Sequence, residues 1–325
     1  VAKPLNSLGK LEALTAKIGA ASECSDINID QRRVLVFCAD NGVVEEGVSQ
    51  SDHTVTTAVA KALAEGSSNV NIFAKMAKAD VEVYDVGMVD DIQVPGLVVD
   101  KRKNGTANFV KGPAMSREDA LKAIETGIKA VEKAKADGIN VVVIGEMGIG
   151  NTTTSAAIIS ILLGLEPEEI TGRGSGLSDD GLKRKINVIK KCREVNQPNP
   201  ADPIDVLAKA GGFDIAAMCG VILGGAAIHL PIILDGLISG TAALLAYKID
   251  ERTVDYMIPS HVSKEPGGNV ILNALNLSGP ISADMALGEG TGGVALLPLL
   301  DMALALYKGT HSFDNIGIEA YVEQK

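Results

Sequence analysis

The chain has 325 residues with a formal net charge of −11, and it contains 35 glycines, four cysteines and no tryptophan. This length allows one large α/β domain or two domains with an ample core. So acidic a sequence, in which no basic stripe stands out, argues against a nucleic-acid-binding surface. No C-x-x-C pair occurs, and Cys38 and Cys219 lie in apolar runs, which favours a reduced, cytoplasmic location.

Metal-binding and membrane proteins are also disfavoured classes. The four histidines lack the spacing of metal ligands, so we expect no metal site, and no dinucleotide fingerprint follows the first predicted strand. The longest apolar run, residues 220–234, is short for a membrane span and contains His229 and Pro231, and no signal peptide is visible. We therefore expect neither a membrane nor a nucleic acid as a partner.

Runs of β-branched and other apolar residues alternate with helical patterns along the chain. In chain order, the sequence predicts a helix at 3–20, a strand at 34–38, helices at 53–65 and 66–78, a strand at 81–87, an irregular segment at 88–115, a helix at 116–136, a strand at 141–144, helices at 153–163, 204–210 and 213–223, a strand at 230–236, a helix at 239–247, a strand at 256–261, and helices at 268–276 and 294–307. This alternation indicates a doubly wound, mostly parallel, Rossmann-like α/β sheet. We expect residues 34–265 to form this large domain, and residues 1–33 plus 266–325 to form a smaller helical domain.

Polar residues follow the first predicted strand. Ligands of doubly wound sheets bind at the carboxyl ends of the strands, so Asp40 and Asn41 are candidates for a site there. The sequence Asp-Asn-Gly also forms a turn without any further function. Both interpretations stay open at this point.

Residues 141–157 combine a buried strand, a turn with three glycines and the start of a helix that Asn151 or Thr152 is expected to cap. Such a junction exposes backbone N–H groups and the positive end of a helix dipole, and it commonly binds phosphate or carboxylate groups. Glu146 lies in this turn, where an anion site would not favour a second negative charge. Its carboxylate suggests a cationic or proton-bearing substrate, while a solvated loop residue is the simpler alternative.

Two further glycine-rich segments carry candidate chemistry. Residues 172–177 form a turn that exposes backbone amides, and Lys185 follows within reach, which suits a phosphate group. Glu289 lies among glycines and near Leu287 and Val294, so its carboxylate should be partly desolvated and suited to a general base, unless it is an exposed turn residue. The residues alone therefore indicate an enzyme that acts on a phosphorylated small molecule with acid–base help from carboxylates.

Eight short motifs along the chain together resemble one family. They are Cys38-Ala-Asp-Asn-Gly-Val, Gly112-Pro-Ala-Met-Ser-Arg117, Gly145-Glu-Met-Gly-Ile-Gly-Asn-Thr-Thr153, Asn196-Gln-Pro-Asn-Pro200, Gly211-Gly-Phe-Asp214, Leu234-Asp-Gly236, Pro259-Ser-His261 and Leu287-Gly-Glu-Gly-Thr-Gly292. In this order they resemble the nicotinate-nucleotide–dimethylbenzimidazole phosphoribosyltransferase family of the CobT type. Each motif alone is weak evidence, but the set spans nearly the whole chain and is highly specific.

The resemblance implies transfer of 5-phosphoribose from nicotinate mononucleotide to an aromatic base, which gives an α-ribotide for the lower ligand of cobamides. It also implies that Glu289 takes the proton of the attacking base and that Glu146, at the ribose, stabilises the developing cation. By the same resemblance the phosphate-binding turn and the substrate pocket include Gly174, Ser175, Lys185, Gly236, Ser263 and Asp235. Family members are typically homodimers with active sites near the subunit interface, and neither a metal nor another cofactor is implied.

The sequence departs from the family pattern around the expected acceptor pocket. Ser51 lies where family members often carry an Ala-Tyr-Pro or Ser-Pro segment, Ala58 replaces a glutamine, and Met147 replaces a common leucine. Because Ala58 and Met147 make the expected pocket wall more apolar, we hypothesise a phenolic or other non-benzimidazole acceptor. A non-identical partner subunit, which would give a paralogous heterodimer, is equally compatible with one chain.

Other functions fit parts of the sequence. A Mg²⁺-dependent transferase that uses phosphoribosyl pyrophosphate would share the strand and loop of residues 141–154, but such enzymes usually have two adjacent acids where this chain has Glu146 and then Met147. A protein that binds a nucleotide or ribotide without turnover would need the same pocket but no general base. An NAD-dependent dehydrogenase is less favoured, because the first strand lacks the glycine fingerprint.

Overall fold

The computed structural model describes residues 1–322, in which six strands form one sheet whose neighbouring strands are all parallel. The strands are β1 (Arg32–Ala39), β2 (Asp80–Gly87), β3 (Leu97–Val99), β4 (Val141–Met147), β5 (Ile232–Leu234) and β6 (Met257–Pro259). Their spatial order, β3-β2-β1-β4-β5-β6, is that of a doubly wound sheet, which confirms the predicted α/β class. The order reverses between β1 and β4, and such a reversal leaves a ligand-binding crevice at the carboxyl ends of the strands.

The central strand β1 shows why the sheet has a core on each face. Val34 and Val36 belong to one apolar cluster, whereas Leu35 and Phe37 belong to the other. All four side chains are fully buried. Successive side chains of a strand point to opposite faces, and helices cover both faces of this sheet.

Twelve α-helices surround the sheet in the described part of the chain. They are α1 (Lys10–Ala21), α2 (His53–Ala64), α3 (Asn69–Met76), α4 (Arg117–Ala136), α5 (Asn151–Leu163), α6 (Pro167–Ile170), α7 (Asp179–Asn196), α8 (Pro203–Ala210), α9 (Phe213–Ala227), α10 (Leu237–Ile249), α11 (Pro266–Ala274) and α12 (Thr291–Gly309). Helices α4, α5, α9 and α10 contribute to the core on one face, and α1, α2, α3 and α12 to the core on the other. Gly127 allows α4 to approach α9 closely, since a Cβ there would lie 1.8 Å from the carbonyl oxygen of Ala217.

Helix α12 is long and apolar enough, by length and composition, to cross a membrane, and no other helix within residues 1–322 is. In this fold, however, it packs as a core helix. Its Leu296, Leu297 and Leu300 side chains are fully buried in the cluster that also contains β1 residues. Its Asp301 forms an ion pair with the guanidinium of Arg32 at 2.7 Å.

Several predicted elements differ from the structure; among them, the strand expected at 256–261 is confined to β6. The segment at 88–115, predicted to be irregular, contains β3, whose three residues pair with β2 at the sheet edge and are too few to show a periodic pattern. The helix expected at 3–20 begins at Lys10, after Gly9 with φ +53°. The strand expected at 230–236 is confined to β5.

The terminal helices α1 and α12 pack together, and both also contribute to a core shared with the strands. The division into a domain of residues 34–265 and a second of residues 1–33 plus 266–325 stays a prediction, and residues 323–325 lie outside the described part.

Candidate active site

An open cleft lies at the carboxyl ends of β4, β5 and β6. Its walls are glycine-rich loops, as expected where a backbone approaches a ligand closely. Eight of the predicted site residues line it: Glu146, Met147, Gly174, Ser175, Asp235, Gly236, Ser263 and Glu289. The reversal point of the sheet therefore brings together residues that are far apart in the sequence.

Glycines allow the turn after β4 to fold tightly against its neighbours. A Cβ on Gly145 would lie 2.2 Å from the carbonyl oxygen of Glu289, so only glycine lets β4 contact that peptide. Helix α5 begins after Gly150, which has φ +92°, and no side chain caps it. The expectation that Asn151 or Thr152 caps this helix is therefore wrong. Asn151 is the first helical residue, and its side chain instead contacts buried carboxylates.

Glu146 is buried rather than solvated, with 9% of its surface exposed. The side-chain amide of Asn151 donates a hydrogen bond to Oε2 of Glu146 and another, at 2.8 Å, to Oδ2 of Asp214. The pKa of Glu146 is raised to about 8, chiefly by burial and next by the charge of Asp214, against the opposing effect of the hydrogen bond from Asn151. The carboxyl group thus lies where a nearby positive charge would favour its ionised form.

Glu289 is buried as well, and its backbone has φ +60°. Its Oε1 accepts a hydrogen bond from the side-chain amide of Asn69 at 2.8 Å, and its Oε2 accepts one from the backbone N–H of Val70 at 3.1 Å. Both donors belong to the first turn of α3, where the helix dipole favours a negative charge. Each carboxylate oxygen keeps a further lone pair, so the group can still accept a proton.

Asp235 anchors the loop that carries Glu289. Its Oδ1 accepts hydrogen bonds from the N–H groups of Gly292 at 2.7 Å and Gly293 at 3.3 Å, and its Oδ2 accepts one from Gly290 at 3.2 Å. Burial raises the pKa of Asp235 to about 6, against the effect of these hydrogen bonds. The side chain ties the end of β5 to the start of α12 and thereby fixes the position of Glu289.

Gly236 and Ser263 share one corner of the cleft with His261. A Cβ on Gly236 would lie 3.4 Å from Nε2 of His261 and 3.6 Å from Oγ of Ser263. The imidazole is buried, and burial lowers its pKa, so the ring is neutral at neutral pH. A larger residue at position 236 would fill this corner.

The predicted phosphate-binding turn lies above a buried cation. The Nζ of Lys185 donates hydrogen bonds to Oγ1 of Thr152 at 2.8 Å and to the carbonyl oxygen of Gly172 at 3.2 Å. Burial lowers the pKa of Lys185 to about 8, and the charge of Glu265 offsets part of this effect. Gly174, with φ +53°, covers the ammonium group, since a Cβ there would lie 3.6 Å from Nζ.

The residues predicted for the acceptor pocket are not all in the cleft. Met147 lines it together with Met285 and Leu287. Ser51 is half-buried, Ala58 is exposed, and neither lines this cleft. Their assignment to an acceptor pocket stays a prediction.

Asp40 and Asn41 hold neighbouring backbone instead of lining the cleft. Oδ2 of Asp40 accepts a hydrogen bond from the N–H of Val89 at 2.8 Å, and the side-chain amide of Asn41 donates one to the carbonyl oxygen of Ile149 at 3.2 Å. These contacts favour the turn interpretation of Asp-Asn-Gly.

Several polar residues of the site received no individual role from the sequence. Asp214 and His261 occurred only within motifs, Thr152 was considered only as a helix cap, and nothing singled out Glu265. Glu265 accepts a hydrogen bond from the N–H of Gly174 at 3.1 Å. The only local signal was that Asp214 follows Gly211-Gly212-Phe213 and that His261 ends a predicted strand, and such positions are too common to identify a contact across the fold.

Comparisons with known proteins agree with this architecture. A sequence model of a family described as phosphoribosyltransferase matches residues 1–318. The nicotinate-nucleotide–dimethylbenzimidazole phosphoribosyltransferase of Ruminiclostridium cellulolyticum is 46% identical over 98% of this chain and 91% of its own length. This chain belongs to that family. The family member of the same name from Acetivibrio thermocellus is 43% identical over 100% of this chain and 92% of its own length.

A solved family structure shares the fold. The crystal structure of CobT from Thermus thermophilus matches with a TM-score of 0.93 and 37% identity, over 98% of this chain and 96% of that one. The family predicted from the eight motifs is therefore confirmed. The chain is a phosphoribosyltransferase, an enzyme that transfers a pentosyl group.

Proposed function

We propose that this phosphoribosyltransferase moves 5-phosphoribose from nicotinate mononucleotide to an aromatic base, giving an α-ribotide and nicotinate. The names of its relatives give dimethylbenzimidazole as their base. The observation that carries the proposal is the distribution of charge around one cleft. The buried carboxyl groups of Glu146 and Glu289 line it, and the ammonium group of Lys185 lies behind its wall, hydrogen-bonded to the lining residue Thr152. Nicotinate mononucleotide is complementary, because its pyridinium ring is cationic and its phosphate is anionic.

We assign the phosphate to the turn above Lys185. Gly174 and Ser175 line the cleft, and the ammonium group of Lys185 beneath Gly174 is desolvated. The N–H of Gly174 donates to Glu265 at 3.1 Å, and a phosphate would take over this hydrogen bond. A phosphate placed there would restore the full charge of Lys185 and accept charge-assisted hydrogen bonds. Gly236 and Ser263 would line the passage from the phosphate to the ribose.

We assign the reacting carbon, C1′, to the acidic side of the cleft. The bond from C1′ to the pyridinium nitrogen breaks, and its electron pair leaves with nicotinate, so positive charge develops on the ribose. The carboxylate of Glu146 stabilises that charge electrostatically. The lone pair of the unprotonated ring nitrogen of the acceptor forms the new bond to C1′, and the proton of its other ring nitrogen passes to the carboxylate of Glu289 as general base.

An aromatic acceptor suits the apolar wall beside Glu289. Met147, Met285 and Leu287 line this part of the cleft, and methionine side chains adapt well to flat rings. The phenolic hypothesis rests on Ser51, Ala58 and Met147, and only Met147 lies in the cleft. Dimethylbenzimidazole is therefore the first acceptor to test.

The decisive experiment is a product assay with nicotinate mononucleotide and a panel of acceptors: dimethylbenzimidazole, adenine, phenol and p-cresol. We expect formation of ribotide and nicotinate in equal amounts, and we expect turnover to persist in EDTA. Equal or better use of dimethylbenzimidazole than of the phenols would refute the phenolic hypothesis. Turnover only with phosphoribosyl pyrophosphate and Mg²⁺ would refute the proposed donor.

The assembly and location of the enzyme also stay predictions. We propose a homodimer or a heterodimer with a paralogue, and light scattering of the purified chain distinguishes the first from a monomer. The cytoplasmic location rests on the cysteine pattern alone.

A further inference from the structure

A second buried acid lies behind Glu146. Asp214, in the first turn of α9, has no exposed surface. One amide nitrogen, Nδ2 of Asn151, donates hydrogen bonds to the carboxyl groups of both acids. Gly148 permits this approach, because a Cβ there would lie 2.6 Å from Oδ2 of Asp214.

We propose that Asp214 is a positioning residue for phosphoribosyl transfer, which acts on Glu146 through Asn151 and sets the charge that Glu146 presents to the substrate. The inference rests on the role proposed above for Glu146, because Asp214 itself does not line the cleft. It gives a function to the Gly-Gly-Phe-Asp motif, which the reaction chemistry leaves unexplained.

The charged groups that act on this pair are all acidic. Glu146 is repelled by Asp214, by Asp235 at the end of β5 and by Glu289 in the loop before α12. Asp214 is repelled by Asp40 at the end of β1. In the described residues no basic side chain forms an ion pair with either member, so two charges here would be unfavourable.

The pair therefore holds one proton near neutral pH. Burial raises the pKa of Asp214 to about 6 and, with the charge of Asp214, that of Glu146 to about 8. Titrations of this kind belong to the pair rather than to either residue. A cationic substrate beside Glu146 draws the negative charge to Glu146 and leaves the proton on Asp214.

The surroundings of Asp214 offer a place for that proton. Its Oδ1 is buried without a hydrogen-bond partner, and so is Oδ1 of Asn41. Both oxygens lie 2.5 Å from the position that a Cβ on Gly212 would take. Only a protonated Asp214 has a donor to offer the amide oxygen of Asn41, because an ionised carboxylate has none.

The test is Asp214→Asn, which keeps the shape, removes the charge and supplies an amide donor toward Asn41. We expect the acid limb of kcat/KM for nicotinate mononucleotide to move to lower pH by about 1 unit or more, because Glu146 ionises more easily. We expect kcat on the alkaline side to stay within a few-fold of the parent enzyme. An unmoved acid limb in the folded variant, or loss of activity at every pH, would overturn the proposal.

Asp85→Asn is the matched control, because Asp85, in β2, is as fully buried as Asp214 but lies beside Lys101. Its acid limb should not move, and an equal shift in this variant would overturn the specific link to Asp214. Carbon-13 NMR of glutamate carboxyl groups, assigned with Glu146→Gln, reads the pKa of Glu146 without any turnover. A fall of that pKa in Asp214→Asn supports the coupling, and an unchanged value refutes it. Full activity of Glu146→Gln would instead refute the role of Glu146 and leave this NMR result intact.

Discussion

The two sides of the cleft bury charges of opposite sign in different ways. On one side, the main charge effects on Glu146 come from acids, Asp214, Asp235 and Glu289, and its pKa is raised to about 8. On the other side, Lys185 has one acid, Glu265, as a charged neighbour, and its pKa is lowered to about 8. Each side lacks full compensation for the charge it would carry. The substrate therefore supplies the missing charges: a cation beside Glu146 and an anion beside Lys185.

The largest expected effect is that of removing the proton acceptor. Glu289→Gln should lower kcat by roughly 10²- to 10⁴-fold, because a positioned general base contributes about that factor. The KM for nicotinate mononucleotide should change little. Steady-state kinetics with dimethylbenzimidazole measure both constants. A variant rate within a few-fold of the parent rate would mean that another residue is the general base. If the protein only binds its ligand, neither the parent nor Glu289→Gln would show turnover.

Removing the charge beside the ribose should have the next largest effect. Glu146→Gln keeps the hydrogen bond to Asn151 possible but cannot stabilise a cation, so we expect kcat to fall by about 10²- to 10³-fold. Single-turnover kinetics separate this step from product release. If only KM for nicotinate mononucleotide rises, Glu146 binds the ground-state pyridinium and does not act in the transition state.

The phosphate side can be tested with two neighbouring lysines. Lys185→Met should raise KM for nicotinate mononucleotide by about 10- to 100-fold, the value of a charge-assisted hydrogen bond, with a smaller effect on kcat. Lys183→Met is the control, because the Lys183 side chain is 76% exposed and pairs with Asp180 on the surface. Equal effects of both substitutions on KM would mean that the phosphate does not bind at this turn.

The smallest expected effect is the change of kcat/KM with pH. Below about 8, Glu146 gains a proton and loses the charge that attracts the pyridinium, whereas above about 8, Lys185 loses the proton that attracts the phosphate. The profile of kcat/KM should therefore be a narrow bell with both limbs near 8. Bound phosphate keeps Lys185 charged, so the alkaline limb should be weak in kcat and absent from Lys185→Met. A profile that is flat from pH 6 to 10 (roughly the span of both limbs) would contradict both assignments.

Much of the fold could be predicted because the central strands are continuous apolar runs. Residues 34–38 and 141–144 are unmistakably buried, and the helices between them show clear spacing. The edge strand β3 could not be found, since three residues beside a proline and a glycine carry no period. Hydrophobic periodicity identifies elements with many buried residues. It misses a short strand such as β3, which is stabilised by pairing with the adjacent strand.

From the residues alone, the site could be predicted only in glycine-rich turns, whereas Ser263 was predicted from the family resemblance. Glu146 and Glu289 stood out because each is an acid within a glycine-rich turn, and both line the cleft. Asp214 and Asn151 did not stand out as a pair, because the contact between them crosses 63 positions of sequence. Glu265 likewise meets Gly174 across 91 positions. Contacts of this kind are set by the topology of the sheet, and spacing in the chain contains no trace of them.

The contact between Gly145 and the peptide of Glu289 has a consequence for motion. The backbone of β4 lies directly against the residue that carries the second carboxyl group, and Asp235 holds that residue's loop to the neighbouring strand. Both acids are held by backbone contacts to neighbouring strands, so we expect their spacing to change little when a substrate arrives. We therefore expect the enzyme to select among acceptor bases by how well each fits between the two acids.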